Sequence, residues 1–404
     1  LASAAEYADY RWLVTEAAGR LLAELASAGD SLRAASRLRR EFSAPRVHLL
    51  LEQVSLRRRA NAKFARPEHM FFTPLGLEQA TDEWVAACKA GRFSRCGGTV
   101  CDLCCGIGGD LLALARQGPV LGVDRNCVAA LLAKANCQGA DRRDANVVVG
   151  DAAHAPAVMA AWHLDPDRRP SGRRTTRVEL HEPGLPTIER LLGTCGQGAV
   201  KLAPAAQWPE AWSATAELEW ISRGGECKQL VAWFGGLAGA PGRRRATLVL
   251  GDEIPPGVRT LAGDPHQRPP VAERIGRYLA EPDSAVLAAG LIGTLAAEHG
   301  LGTIAAGAAY LTGDEAHVDP ALDWFEICEA LPFDVKRLKA LLRQRGIGRL
   351  EIKQRGVGTD PDKLRQRLDV PGDEAATLIL ARLGRRVAAF LARRVEAVKG
   401  GGSP

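Results

Sequence analysis

One stretch, VCDLCCGIGGD at 100–110, constrains the fold more than any other part of this sequence. It joins an apolar run, a glycine-rich turn and a helical stretch, the arrangement of a nucleotide-binding βα unit. Gly106, Gly108 and Gly109 let the backbone turn sharply and approach a ligand closely, and the helix that follows presents its unpaired N–H groups. The alternation continues downstream. Residues 99–103 read as the first strand, 109–116 as the opening of a helix, 120–123 as the second strand, 127–137 as a helix and 145–149 as the third strand. Residues 158–164 make a fourth strand, 189–192 lie in a helix, and 197–202 make a fifth strand. Short apolar or β-branched runs alternating with helices signal a parallel sheet, so the fold class is α/β, with a doubly wound, Rossmann-like sheet. Residues 217–222, the turn Arg223-Gly224-Gly225 and residues 227–234 then read as a β-hairpin at the sheet edge.

Acids follow at the places where such a unit meets its ligand. Asp124 closes the second strand, where an acid takes both ribose hydroxyls of an adenosine group, and Gly150-Asp151 follows the third. The dinucleotide fingerprint G-x-G-x-x-G/A fits poorly, because counting from Gly106 puts Leu111 where the third small residue belongs. A P-loop fails because no Gly-Lys-Ser/Thr follows the glycines to grip a triphosphate and its magnesium. Asp102, just ahead of the loop, would repel a pyrophosphate.

DLCCGIGGD at 102–110 resembles the first motif of class I S-adenosylmethionine-dependent methyltransferases, and VLGVD at 120–124 resembles the second. Asp151 is similar to the acid that meets the adenine amino group. The resemblance implies S-adenosyl-L-methionine as cofactor, with Asp102 on the amino group of its methionine part. It also implies that Cys104, Gly106, Gly108 and Gly109 form the loop, and that Asp124, Arg125 and Asp151 lie along the adenosine. MFFTPLGLEQATDEWVAACKAG at 70–91 is similar, in position and in its Thr73-Pro74 element, to the segment ahead of the cofactor motif in trimethylguanosine synthase-like enzymes. There it lies over the cofactor, so Thr73 and Pro74 join the cofactor residues.

After the fourth strand come Asp165-Pro166-Asp167-Arg168-Arg169 and then Gly172-Arg173-Arg174. Class I enzymes that methylate exocyclic amines of nucleobases carry Asn/Asp-Pro-Pro followed by an aromatic residue or arginine here. The resemblance implies that Asp165 and the main-chain carbonyl of Pro166 accept hydrogen bonds from the attacking amine. Asp167 replaces the second proline and Arg168 an aromatic, so a base-stacking contact comes from elsewhere or the substrate differs. Arg168, Arg169 and Arg173 suit the phosphates of a nucleic acid; the plain alternative is an Asp-Pro turn with solvated arginines.

Four regions are expected: helical 1–69, a cofactor-binding methyltransferase domain at 70–240, a glycine- and proline-rich connection at 241–319, and a small α+β domain at 320–398. In the last, 324–329, 349–354 and 376–383 read as strands, 334–345 and 360–368 as helices, and Gly346 as a helix C-cap. With IGRLEIKQRGV at 347–357, the whole chain resembles the bacterial methyltransferase family with a THUMP-like C-terminal domain. That implies an RNA partner, which suits the net charge of +6 and the basic run Lys336, Arg337, Lys339, Arg343, Arg345, Arg349, Lys353 and Arg355. A small-molecule or protein substrate, a non-catalytic RNA-binding module and a nicotinamide-dependent dehydrogenase stay open as alternatives.

No apolar run approaches the roughly 20 residues that span a bilayer. The first residues carry acids where a secretory signal carries basic groups, so a cytoplasmic location is expected. The ten cysteines are too sparse for a disulfide scaffold, and Cys101 with Cys104 lacks the second pair a metal site needs, so no metal is expected.

Overall fold

The computed structural model describes residues 3–27, 31–142, 144–155, 158–169 and 172–395, with only the backbone described for 31–34. The chain divides into two compact units: Leu1–Ile221 with Lys228–Arg243 and Val249–Val258, and Ser222–Cys227 with Arg244–Leu248 and Arg259–Pro404.

The first unit is built on strands β1 (Val100–Leu103), β2 (Val120–Asp124), β3 (Ala145–Val149), β4 (Ala161–Leu164) and β5 (Gly198–Leu202), followed by β6 (Glu217–Arg223) and β7 (Glu226–Phe234). With β8 (Arg244–Leu250) and β9 (Gly257–Gly263) they form a nine-stranded sheet of order β3-β2-β1-β4-β5-β7-β6-β8-β9. The first five strands are mutually parallel and β7 runs antiparallel to β5. This is the Rossmann-like sheet with a hairpin that the sequence suggested, and Gly224 and Gly225 take the positive φ a tight hairpin turn requires. Parallel register brings Leu103, Asp124, Val149 and Leu164 to one edge, where ligands of such sheets bind.

Helices Gly109–Leu114 and Cys127–Gly139 connect the first strands. Leu111, the residue that spoils a dinucleotide fingerprint, fits because β2 carries Gly122 opposite it: a Cβ there would stand 2.8 Å from Cδ2 of Leu111. The fourth strand is shorter than expected. It starts at Ala161, and Val158 is 92% exposed. The helix expected around 189–192 extends over Leu185–Thr194.

Ahead of the sheet stand helices Ala4–Leu13, Glu16–Ser27, Ser31–Leu38 and Ala44–Ala60. Their buried side chains, Leu13, Leu22, Leu25, Leu50 and Leu56 among them, form one core with Phe72, Leu77, Ile107, Val128 and Leu132. Two cations of the run RRRANAKF at 57–64 hold main chain in place. Arg57 donates to the Met70 carbonyl at 2.9 Å and lies over the Phe71 ring, while Lys63 donates to the carbonyls of Leu77, Glu78 and Ala80 at 2.8–2.9 Å.

In the second unit, β10 (Tyr278–Pro282), β11 (Gly302–Thr303), β12 (Leu311–Gly313), β13 (Leu322–Pro332), β14 (Ile347–Arg355), β15 (Glu374–Leu383) and β16 (Arg386–Arg394) form a sheet of order β11-β12-β10-β13-β16-β15-β14. Helices Val335–Gln344 and Pro361–Leu368 bury Leu338, Leu342, Leu364 and Leu368 against Leu378, Leu380 and Leu391. Gly346 follows the first helix at φ +65°. The sequence reading had no counterpart for β16, nor for β10–β12 within the stretch taken as a connection. Three of the eight cations of the expected basic run pair with acids: Lys353 and Arg355 with Glu281 at 2.6 and 3.1 Å, and Arg345 with Glu329 at 2.7 Å. Glu298, His299 and Asp319 bring donor atoms within 4.8 Å of one another, yet Arg259 already fills that space, 2.6 Å from Glu298 and 3.0 Å from Asp319.

None of the ten cysteines is shown in a disulfide. Among the described residues no helix is long and apolar enough to cross a membrane.

Candidate functional site

The glycine loop leaves β1 through Cys104, which takes φ +61°, a left-handed conformation uncommon for a residue with a side chain. Gly106 follows at φ +56° and Gly108 at φ +90°, where Gly108 caps the helix Gly109–Leu114. Such backbone suits a ligand that approaches closely. Gly109 serves packing: a Cβ there would stand 3.0 Å from the Thr81 carbonyl oxygen.

A cavity of about 290 Å³ opens beside this loop, lined by Cys104, Asp124, Arg125 and Asp151 together with Glu182 and Pro183. Asp124 is fixed by main chain: Oδ2 accepts from the Gly106 N–H and Oδ1 from the Asn126 N–H, both at 2.8 Å. Burial raises its pKa above the usual aspartate value, against the pull of these donors. Asp151 accepts from the Ala153 N–H at 2.8 Å. Arg125 pairs with Glu182 on the opposite wall. Two carboxylates with lone pairs to spare, over a glycine loop, fit the ribose hydroxyls and adenine amino group of an adenosine-bearing cofactor.

Asp102 does not line this cavity. Its side chain turns into the core, 1% exposed, with Oδ1 2.7 Å from Nδ1 of His163 on β4. The other oxygen is also buried, and burial raises this carboxyl above its ordinary value. The expected contact with the methionine amino group is therefore not one that this orientation favours.

The segment 70–81 is strapped to its surroundings. Gln53 makes reciprocal hydrogen bonds with the main chain of Phe72 at 2.5 and 3.0 Å, and Asn136 does so with Phe71 while donating to the Ile107 carbonyl at 2.9 Å. Thr73 caps the helix Pro74–Gln79 by accepting from the Gly76 N–H. Gly76 meets Ile107 of the glycine loop so closely that a Cβ would stand 2.6 Å from Cγ2 of Ile107. Thr73 and Pro74 therefore sit at the start of a short helix laid against the glycine loop.

Asp165 follows β4, its N–H donating to the Leu103 carbonyl at 3.2 Å. Oδ2 lies 2.6 Å from Nζ of Lys201 on β5. Pro166 is buried. Asp167 exchanges two main-chain hydrogen bonds with Glu182, at 2.8 and 3.0 Å, which folds the loop back beside the cavity. Arg169 and Arg174 both donate to Glu78 of the short helix, at 2.9 and 3.2 Å. Arg169 is thus partly neutralised by an acid, whereas Arg173 is exposed. His181, 4% exposed, has its pKa lowered by burial.

Behind Asp165 lies a group that sequence reasoning missed. Lys201 stands 4.0 Å from Asp110, Asp110 pairs with the buried Lys89 at 2.6 Å and accepts from Thr81 at 2.6 Å, and Lys89 reaches Nε2 of His163 at 3.3 Å. The available signal was a titratable residue inside an apolar strand or helix: His163 in AWHL, Lys201 in GAVKL, Lys89 in EWVAACKA.

Comparison with known proteins agrees with this geometry. Residues 322–394 match the family described as THUMP domain-like, and residues 6–60 match a domain of unknown function. The chain is similar along its whole length to a crystal structure of a Porphyromonas gingivalis W83 protein assigned as a methyltransferase. The TM-score is 0.73 at 22% identity, covering 98% of this chain and 100% of that one. Two Mycobacterium tuberculosis proteins, from strains CDC 1551 / Oshkosh and ATCC 25618 / H37Rv, are each named an uncharacterized S-adenosylmethionine-dependent methyltransferase. They are 34% identical to this chain over 356 residues, covering 84% of it and 94% of their own length. With a relative this similar over most of both chains, and a cavity whose acids suit adenosine, the chain belongs to the S-adenosylmethionine-dependent methyltransferases.

Proposed function

We propose that the protein methylates an exocyclic amine of an RNA base, with Asp165 and the Pro166 carbonyl orienting the amine. The observation that carries this reading is Asp165 itself, set at the sheet edge between the glycine loop and Lys201. When bound, S-adenosylmethionine supplies an activated methyl group on a sulfonium, so the chain needs chiefly to hold the acceptor nitrogen in line. A carboxylate and a main-chain carbonyl both accept N–H, and together they would turn the amine's lone pair toward the methyl. Asp124 and Asp151 would hold the ribose and adenine ends, and the Thr73-Pro74 helix would close over the loop. The reading of Cys104, Gly106, Gly108 and Arg125 as cofactor contacts rests on the cavity they line or shape.

RNA is favoured by the resemblance of residues 322–394 to THUMP domains and by the arginines after Asp165. Arg168 and Arg173 are the ones proposed to meet phosphates. Arg169 would do so only by exchanging Glu78, its partner here, for a phosphate. The test is incubation with methyl-labelled S-adenosylmethionine and undermodified bacterial RNA, then digestion to nucleosides. Label in one nucleoside names the atom. Label in no RNA, alongside measured cofactor binding, overturns the RNA reading in favour of another substrate.

A further inference from the structure

We infer that Lys201 is the positioning residue of the reaction centre, acting through Asp165 and held in place by a buried chain of charges that ends at Asp102. The inference rests on the reading of Asp165 as the group that orients the amine. An ammonium has three protons and no acceptor. Lys201 directs its protons at Oδ2 of Asp165 at 2.6 Å and the Gln79 carbonyl at 3.5 Å, with Oδ2 of Asp110 4.0 Å away. Burial works against its charge, but Asp165 and Asp110 outweigh it and raise its pKa above that of an ordinary lysine. Lys201 is therefore a fixed cation at a fixed place.

What fixes it lies deeper. Asp110 is tied by Thr81 and Lys89, both at 2.6 Å. Lys89 reaches Nε2 of His163 at 3.3 Å, and Nδ1 of the same ring lies 2.7 Å from Oδ1 of Asp102. Ionisable groups thus run without a break from the core to the reaction centre: Asp102, His163, Lys89, Asp110, Lys201 and Asp165. Oδ2 of Asp165 is taken by Lys201, so Oδ1 is the oxygen left for the substrate amine. Without Lys201 the carboxylate turns freely and either oxygen points anywhere. This device is also where Asp102 finds its use in this chain, as the inner anchor of the network.

The experiment compares the wild type, Lys201→Met, Lys201→Arg, Asp165→Ala and the Lys201→Met/Asp165→Ala double variant. Two readouts are single-turnover methyl transfer into undermodified total bacterial RNA and calorimetric S-adenosylmethionine binding. Lys201→Met is expected to slow transfer roughly 100-fold, with cofactor affinity and half-saturating RNA concentration within about twofold, because misplacement by an ångström costs that much. Lys201→Arg, which keeps the cation, is expected to regain at least about a tenth of the wild-type rate. The double variant is expected to be no slower than the slower single, since the two residues act as a unit. Wild-type rate in Lys201→Met, with Asp165→Ala slow, overturns the inference and leaves the Asp165 reading standing; so does an additive double variant. An unimpaired Asp165→Ala takes down both. If label enters no RNA, thermal unfolding of the same proteins decides: a loss in Lys201→Met that the double variant partly recovers supports the pairing, and additive losses overturn it.

Discussion

Asp124 ends β2 and Asp165 follows β4, the two strands that flank β1, yet they are held by different kinds of partner. Asp124 is fixed by main-chain N–H groups: one two residues on, at Asn126, and one from the glycine loop. Asp165 is fixed by a side chain on β5, which is itself placed by Asp110, Thr81 and Lys89. Main-chain donors come with any sequence that makes the turn. A side-chain network exists only when every member is present, so the proposed cofactor side of this site is robust and the proposed reaction side is cooperative.

The sharpest way to break that contrast is to cut the network far from any ligand. Lys89 is buried and forms the shortest ion pair to Asp110. Lys89→Met leaves a buried carboxylate without its cation, and removing one partner of such a pair costs about 3–5 kcal/mol. Chemical denaturation is expected to register that loss, while Lys89→Met/Asp110→Leu, which removes both charges, recovers much of it. A loss below about 1 kcal/mol in the single variant would mean that water reaches the pair and that the network is not cooperative.

Asp124→Ala probes the other side. It removes a charged hydrogen-bond acceptor from the cavity, and cofactor affinity is expected to fall by about 1.5–3 kcal/mol, roughly ten- to a hundredfold, with stability little changed. Calorimetry against equilibrium unfolding separates the two. If affinity holds and stability falls instead, the carboxylate serves the Gly106 turn alone.

Gly76→Ala lies between the two regions. The added methyl meets Cγ2 of Ile107 at 2.6 Å and Oγ1 of Thr73 at 2.8 Å, and overpacking of this kind costs about 1–3 kcal/mol. Because Ile107 belongs to the glycine loop, part of that cost is expected as weaker cofactor binding. Full retention of affinity would show that the helix Pro74–Gln79 moves without disturbing the loop.

The same contrast explains what the sequence could and could not disclose. The parallel strands, the hairpin and Asp124 are local signals: alternation, a glycine loop, an acid at a strand end. Leu111 was read correctly as a mismatch to a dinucleotide site, and its acceptance depends on Gly122, visible only once the strand and helix are packed. The inward turn of Asp102 was not legible, because its position in the motif says nothing about which way its side chain points. The partner that draws it inward, His163, is 61 residues away. Lys201 is 36 residues from Asp165, and Lys63 closes the end of a helix from outside the expected cofactor segment. Long-range polar pairs leave no periodicity to read.

His181 gives the smallest effect and the finest discrimination. It is buried near Asp165, Asp167 and Arg168, it contacts the Thr175 carbonyl at 3.3 Å, and among the described residues its Nδ1 has no hydrogen-bond partner. Burial, ahead of the charge of Arg168, lowers its pKa below the ordinary 6.5, so the folded state favours the neutral ring. A group depressed in this way contributes stability above the unfolded-state pKa, and that contribution is lost as pH falls from about 6.5 toward the folded-state value. For one proton the slope cannot exceed ~1.4 kcal/mol per pH unit. Thermal unfolding between pH 7.5 and 5.5 is therefore expected to fall less steeply in His181→Gln than in the wild type. Equal slopes would mean that Asp165 and Asp167 hold the charged ring as well as the interior holds the neutral one, and the reaction side would then carry a second cation beside Lys201.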